Sequence, residues 1–132
     1  MDVNTKLLKK NAFRVTKHRG ITASRVRVPG GALQAEYLLK IYEIANTYGA
    51  VHLTTRQGFE IPGIKFEDIP KVNELLQPII EGLDINQEIP GKGYTAAGTR
   101  NVSACIGNNV CPFANYNTTN FAKRIEKAVF PN

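Results

Sequence analysis

The chain has 132 residues, 42% of them apolar, and a formal net charge of +6. That is enough chain to bury one core and too apolar a composition for disorder, and no apolar run approaches the length of a membrane span. No hydrophobic segment followed by a small-residue cleavage site opens the sequence, so we expect a soluble, cytoplasmic protein whose two cysteines are reduced or metal-bound.

The charge is uneven. Of the 17 Lys and Arg, eight lie between Lys6 and Arg27 with no acidic residue among them, an excess that suits an anionic partner. Residues 1–20 read as a basic arm with a short helix at Thr5–Lys10. Ile21–Val28 then alternates, Val26 and Val28 to one side and Arg25 and Arg27 to the other, as a strand does. Pro29-Gly30-Gly31 stops it. A helix follows over Ala32–Tyr48, with Leu33, Tyr37, Leu38, Ile41, Ile44, Ala45 and Tyr48 at helical spacing and Gly49 as a left-handed cap.

Ala50–Gly63 reads as a hairpin turning near Gln57-Gly58. Val51 and Leu53 point to one face, and His52, Thr54 and Arg56 to the other; Phe59 and Ile61 are the apolar set on the return strand. A second helix runs over Asp68–Leu83, capped by Asp68, with Pro78 inside the pattern as a kink or an early stop. Residues 84–98, rich in Gly, Pro and Asn, read as loop, and Thr99–Ala104 as a short strand leading into the cysteine loop. A last helix over Thr118–Val129 sets Phe121, Ile125, Ala128 and Val129 on one side.

The order is βαββαβ, the split arrangement of an α+β, ferredoxin-like half-domain: an antiparallel sheet with two helices on one face, followed by an appended cysteine loop and C-terminal helix. The expected divisions are a basic arm at 1–20, the half-domain at 21–98 and the start of a second unit at 99–132. On the sheet face away from the helices this puts Arg25, Arg27, His52, Thr54 and Arg56. Guanidinium groups gathered from strands distant in sequence grip carboxylates and oxyanions through paired, charge-assisted hydrogen bonds. A solvated sheet face with scattered charges is the plainer alternative.

Cys105 and Cys111 are the two cysteines, with five residues between them. They could supply half of an iron–sulfur ligand set, which usually takes four thiolates, or be unligated thiols or a reversible disulfide. His52 alone is a poor metal site and a plausible contact to an anion.

Arg25-Val26-Arg27-Val28-Pro29-Gly30-Gly31, Leu53-Thr54-Thr55-Arg56-Gln57-Gly58-Phe59 with Ile61-Pro62-Gly63-Ile64, and Arg100-Asn101-Val102 with Ala104-Cys105 and Cys111-Pro112 occur in this order. Together they resemble the nitrite/sulfite reductase family over about residues 10–132. The resemblance implies an oxidoreductase in which a [4Fe-4S] cluster passes electrons to siroheme, where sulfite or nitrite is reduced, supplied by partner subunits carrying flavin or iron–sulfur centres. It implies no nucleic-acid or membrane partner. By position it implies that Arg25 touches both siroheme and the substrate oxyanion, and that Arg27, His52, Thr54, Arg56 and Gln57 line the siroheme carboxylates. Arg100 matches an arginine that helps bind substrate, with Asn101 beside it, and Cys105 and Cys111 match cluster ligands. The family's second cysteine pair, C-x3-C, is not in this sequence. We therefore expect an N-terminal fragment of a longer reductase protein, inactive by itself. The competing readings are a basic ferredoxin-like nucleic-acid-binding module and a dithiol regulatory domain without iron.

Overall fold

The computed structural model describes residues 13–83, 88–89, 93–94 and 101–129. Four antiparallel strands form one sheet: β1 (Phe13–Val15), β2 (Ile21–Val26), β3 (His52–Leu53) and β4 (Phe59–Lys65), in the order β1-β2-β4-β3. Helices α1 (Ala35–Tyr48) and α2 (Ile69–Leu83) cover one face. The fold is α+β and ferredoxin-like, as the pattern of elements implies.

The fourth strand is not where the periodicity put it. Residues 101–104 form no strand, and Thr99 lies outside the described residues, as does the helix expected at Thr5–Lys10. The place beside β2 is taken by β1, from the stretch that composition assigned to the basic arm. Phe13 explains why: a single aromatic opposite Ser24 is 1% exposed in the core, and one buried ring outweighs the surrounding cations. Thr16 and Thr22 tie this hairpin further, each hydroxyl donating to a carbonyl across it, Ile21 and Arg14 respectively.

The core lies between sheet and helices. Val26, Phe59, Ile61 and Ile64 meet Ile41 and Ile44 of α1 and Val72, Leu76, Ile79 and Ile80 of α2. Ile61 and Ile64 are three apart and both fully buried, which strict alternation forbids. The register explains it. Ser24 pairs with Ile61 and Thr22 with Ile64, so β4 carries one extra residue there, a bulge in which Gly63 sits at φ 78°. The expected hairpin is present, but Leu53 is 86% exposed at the end of a two-residue edge strand that neither helix covers. Leu38 is likewise exposed on α1.

Gly49 caps α1 at φ 99°, its N–H donating to Ala45 O. A 3-10 turn at Phe66–Asp68 leads into α2, and Asp68 accepts a hydrogen bond from Tyr48. Pro78 neither stops nor shortens α2, and its ring lies on the exposed side. Within 84–98, two-residue strands β5 (Glu88–Ile89) and β6 (Gly93–Tyr94) pair where turn-rich composition had suggested loop alone.

Helix α3 (Thr118–Val129) packs on the turn Pro29–Gly31 that follows β2. Its buried residues are Ala122 and Glu126, and Phe121 is 51% exposed, so the helix is rotated from the face its large apolar residues suggested. Gly30 dictates the rotation: a Cβ there would lie 3.3 Å from Ala122 Cβ and from Thr119 Cα, so only small side chains fit against it. One turn on, Glu126 meets Arg27, Nη2 to Oε1 2.9 Å, with both side chains buried. None of the helices among the described residues is long and apolar enough to cross a membrane.

Breaking a buried pair by removing one partner strands a charge, whereas replacing both with apolar groups does not. We expect Arg27→Met to cost about 3–5 kcal/mol in urea unfolding and the double variant Arg27→Met/Glu126→Leu to recover most of it. Equal losses in single and double variants would show that the two side chains do not act as a pair.

Candidate functional site

The sheet face away from the helices is built by register. Arg25 on β2 and His52 on β3 are both cross-strand partners of Glu60 on β4, so the three side chains share one face. Glu60 is the focus. Arg25 donates from Nε, and Arg14 of β1 from Nη1 at 3.1 Å, to the same oxygen, Oε1. Burial alone would push the Glu60 carboxyl up, but the hydrogen bonds from Arg25 and Arg14, with their charges, outweigh it and hold the carboxyl below its ordinary value. Both arginines keep exposed surface, 52% for Arg14 and 42% for Arg25. The face is thus two guanidiniums fixed in direction by one carboxylate, with exposed His52 alongside.

Arg27 is not on this face. Alternation ends with the strand at Val26, and as the chain turns into Pro29–Gly31 the guanidinium goes inward to Glu126. Burial lowers the Arg27 pKa, against the stabilising charge of Glu126. Burial likewise pushes Glu126 up, against the pull of Arg27.

The turn between β3 and β4 carries the next group. Thr54 is a structural member of it: its Oγ1 accepts from Gly58 N at 3.1 Å, while its N–H donates to Gly58 O and its carbonyl accepts from Gln57 N. Gly58 must lack a Cβ, which would lie 2.7 Å from Val26 O. Arg56 is exposed. Gln57 is turned onto Ala104, with Nε2 donating to Ala104 O and Oε1 accepting from Ala104 N, both at 2.8 Å. Asn101 Nδ2 donates to Val28 O at 3.0 Å and to Arg56 O. Gly30 N donates to Val102 O at 2.8 Å.

The segment before Cys105 is therefore stitched to both glycine-bearing turns. Beyond it, Thr118 Oγ1 donates to Cys105 O, and Gly107, at φ 86°, accepts from Val110 N and Cys111 N. Cys105 is exposed, Cys111 half-buried, and both are free thiols. Arg100 lies outside the described residues. The structure thus brings together Arg25 and His52 on the sheet face, and separately Arg56, Gln57, Asn101 and the Cys105 segment; it withdraws Arg27. Sequence reasoning missed Arg14 and Glu60. The signal for Glu60 was present, since Phe59 and Ile61 pointing inward put it outward between the arginines.

Among the described residues no three His, Cys, Asp or Glu gather to hold a metal ion. The two thiols on a glycine turn fit a share of a cluster's usual four thiolates, and the exposed guanidiniums of Arg14 and Arg25 suit carboxylates.

Residues 15–79 match the family model described as the nitrite/sulfite reductase ferredoxin-like half domain. The chain is 45% identical over 130 residues to one of the subunits of anaerobic sulfite reductase from Salmonella typhimurium, a match that covers 93% of this chain and 39% of that protein. It is 38% identical over 72 residues to the sulfite reductase [NADPH] hemoprotein beta-component of Staphylococcus saprophyticus, covering 49% of this chain and 13% of that one. Against beta-component 2 of Klebsiella pneumoniae it is 30% identical over 110 residues, covering 81% of this chain and 18% of the relative. The chain thus spans 39% or less of the length of these relatives.

The two shifted carboxyls act on stability in opposite senses. Glu60, lowered, contributes stability that is complete above the ordinary value of 4.5 and is lost as pH falls through its lowered value. Glu126, raised, contributes stability that is complete below 4.5 and is lost as pH rises through its raised value. In denaturant titrations across pH, Glu60→Gln should flatten the acid limb, and Glu126→Gln should remove a decline above 4.5. Unchanged slopes in both variants would contradict these assignments.

Proposed function

Through residues 15–79 this chain belongs to the nitrite/sulfite reductase ferredoxin-like half-domain family, and from that premise we propose that it forms the cofactor-facing half-domain of a siroheme- and [4Fe-4S]-dependent sulfite reductase. The carrying observation is that the segment entering Cys105 is hydrogen-bonded to the Arg56–Gln57 turn, so the thiol loop and the cationic turn are one unit. Sulfite is preferred to nitrite as substrate because the relatives described above are all sulfite reductases. When bound, siroheme and the cluster supply the electrons and the iron at which the oxyanion is reduced.

The chain's own residues bind and orient. Arg25 is the contact to siroheme and to the substrate oxyanion, and Glu60 fixes its direction in advance, so that little reorganisation accompanies charge development. Arg14, His52 and Arg56 present further positive or hydrogen-bonding groups to carboxylates. Arg100 retains its assignment to the substrate. Cys105 and Cys111 supply two thiolates, and the remaining ligands come from other parts of the whole protein. Arg27, Thr54, Gln57 and Asn101 serve this site through backbone and helix contacts. The protein works beside electron-donating partner subunits, in keeping with its Salmonella relative being named as one subunit of a reductase. Phe13 and Phe59 face the core, so among the described residues the outer sheet face offers no strand aromatic for base stacking, which favours this reading over a nucleic-acid module.

In the whole protein, Arg25→Ala should lower kcat/KM for sulfite by about a hundredfold, the usual cost of removing one preorganised oxyanion donor. Arg25→Lys should recover little, because an ammonium cannot reproduce the planar fork. Sulfite reduction at the parent rate in Arg25→Ala would rule out the assignment.

A further inference from the structure

We propose that Gln57 is a positioning residue for Cys105: its side-chain amide stands in for a neighbouring strand and holds the segment 101–105 on the half-domain. The inference rests on the reductase reading for the purpose of Cys105, while the clamp itself rests on geometry alone.

Gln57 is the one non-glycine residue with positive φ among the described residues, at 65°. This left-handed conformation is unfavourable for a residue bearing a Cβ, and asparagine or glycine would adopt it more readily. A strained residue persists where its surroundings over-determine it, and here its side chain has a defined destination. Nε2 donates to Ala104 O and Oε1 accepts from Ala104 N, both at 2.8 Å. Donor and acceptor are satisfied on one residue, which is what a hydrogen-bonded pair in an antiparallel ladder achieves. The difference is that a side chain here replaces the second backbone. Asparagine, one methylene shorter, would keep the turn and lose the reach.

Gly31 makes the room. A Cβ there would approach Gln57 Cβ and Cδ to 3.1 Å, so the second glycine of the turn after β2 is the slot through which the side chain passes. The clamp has neighbours on both sides. Asn101 Nδ2 bonds Val28 O and Arg56 O, Val102 O accepts from Gly30 N, and Thr118 Oγ1 holds Cys105 O. Residues 101–105 are thereby held by six hydrogen bonds without belonging to any strand. Gln57 holds the residue next to the cysteine from the β3–β4 turn, and Thr118 holds the cysteine carbonyl from α3. Both amide atoms of Gln57 are committed to this contact, which makes it a positioning group in place of the siroheme ligand its sequence position suggests.

The test uses the whole protein in cofactor-free form, with amide hydrogen exchange over 101–106 and peptide-resolved alkylation of Cys105 by iodoacetamide. Gln57→Gly removes the clamp and the strain together. Its unfolding midpoint should equal or exceed the parent's, while exchange at Ala104 and alkylation of Cys105 rise by about tenfold or more, the expected consequence of losing two hydrogen bonds. Gln57→Asn should show the same two increases. Gln57→Glu keeps the acceptor for Ala104 N and loses the donor to Ala104 O, so it should fall between. Parent-like exchange and alkylation in Gln57→Gly would overturn the proposal. A loss of siroheme uptake, followed by absorbance, with exchange unchanged would also overturn it and make Gln57 a ligand. Increased exchange in a protein whose parent form takes up no siroheme would support the clamp and sink the reductase reading instead.

Discussion

A buried guanidinium facing a buried carboxylate governs everything on the C-terminal side of the sheet. Neither Arg27 nor Glu126 could stand there alone, because an unpaired charge in that setting carries the full penalty of desolvation. The pair can meet only because Gly30 lets α3 come close enough, with Ala122 over the missing Cβ. Once α3 is seated, Thr118 at its start is fixed, and with it the carbonyl of Cys105. The chain from a strand-end arginine to the thiol loop is a sequence of steric and electrostatic requirements, each of which limits the next.

Much of this was legible in the residues. Helical spacing over Ala32–Tyr48 and Asp68–Leu83, Gly49 as a cap and the hairpin around Gln57-Gly58 all follow from local rules, and the structure keeps them, with the helices starting later, at Ala35 and Ile69. The failures share a cause. Phe13 in a cationic stretch, Arg27 one residue past a strand end and α3 turned by a glycine are decided by partners far along the chain, which local periodicity does not see. The same holds for the candidate site. Arg25 and His52 came from alternation, while the commitment of Gln57 and Asn101 to the Cys105 segment depends on contacts 47 and 73 residues apart.

Charge counting overstated the sheet face in one respect and understated it in another. With Arg27 buried, Arg56 on the turn and Arg14 added, the face holds two arginines where three were expected, and Glu60 cancels one of their charges. What the face loses in net charge it gains in direction. Two long, flexible side chains are held by one carboxylate oxygen, and a ligand arriving at the face meets guanidiniums whose orientation has already been selected. For recognition of a planar, multiply charged molecule, orientation of this kind matters more than a larger but unfocused potential.

The bulge in β4 has a consequence for how this strand can vary. Upstream of Gly63 the inward residues are Phe59 and Ile61; downstream the inward residue is Ile64, because the extra residue reverses the phase. The strand is in effect two frames joined at a glycine. Deleting Gly63 would remove the extra residue and leave Ile64 opposite Thr22 and inward in a regular ladder; pairing the full strand without the bulge would instead send Ile64 to solvent and the ammonium of Lys65 toward the core. At this one position length and kink are exchangeable: the same inner surface is kept either by seven residues with a bulge or by six without one.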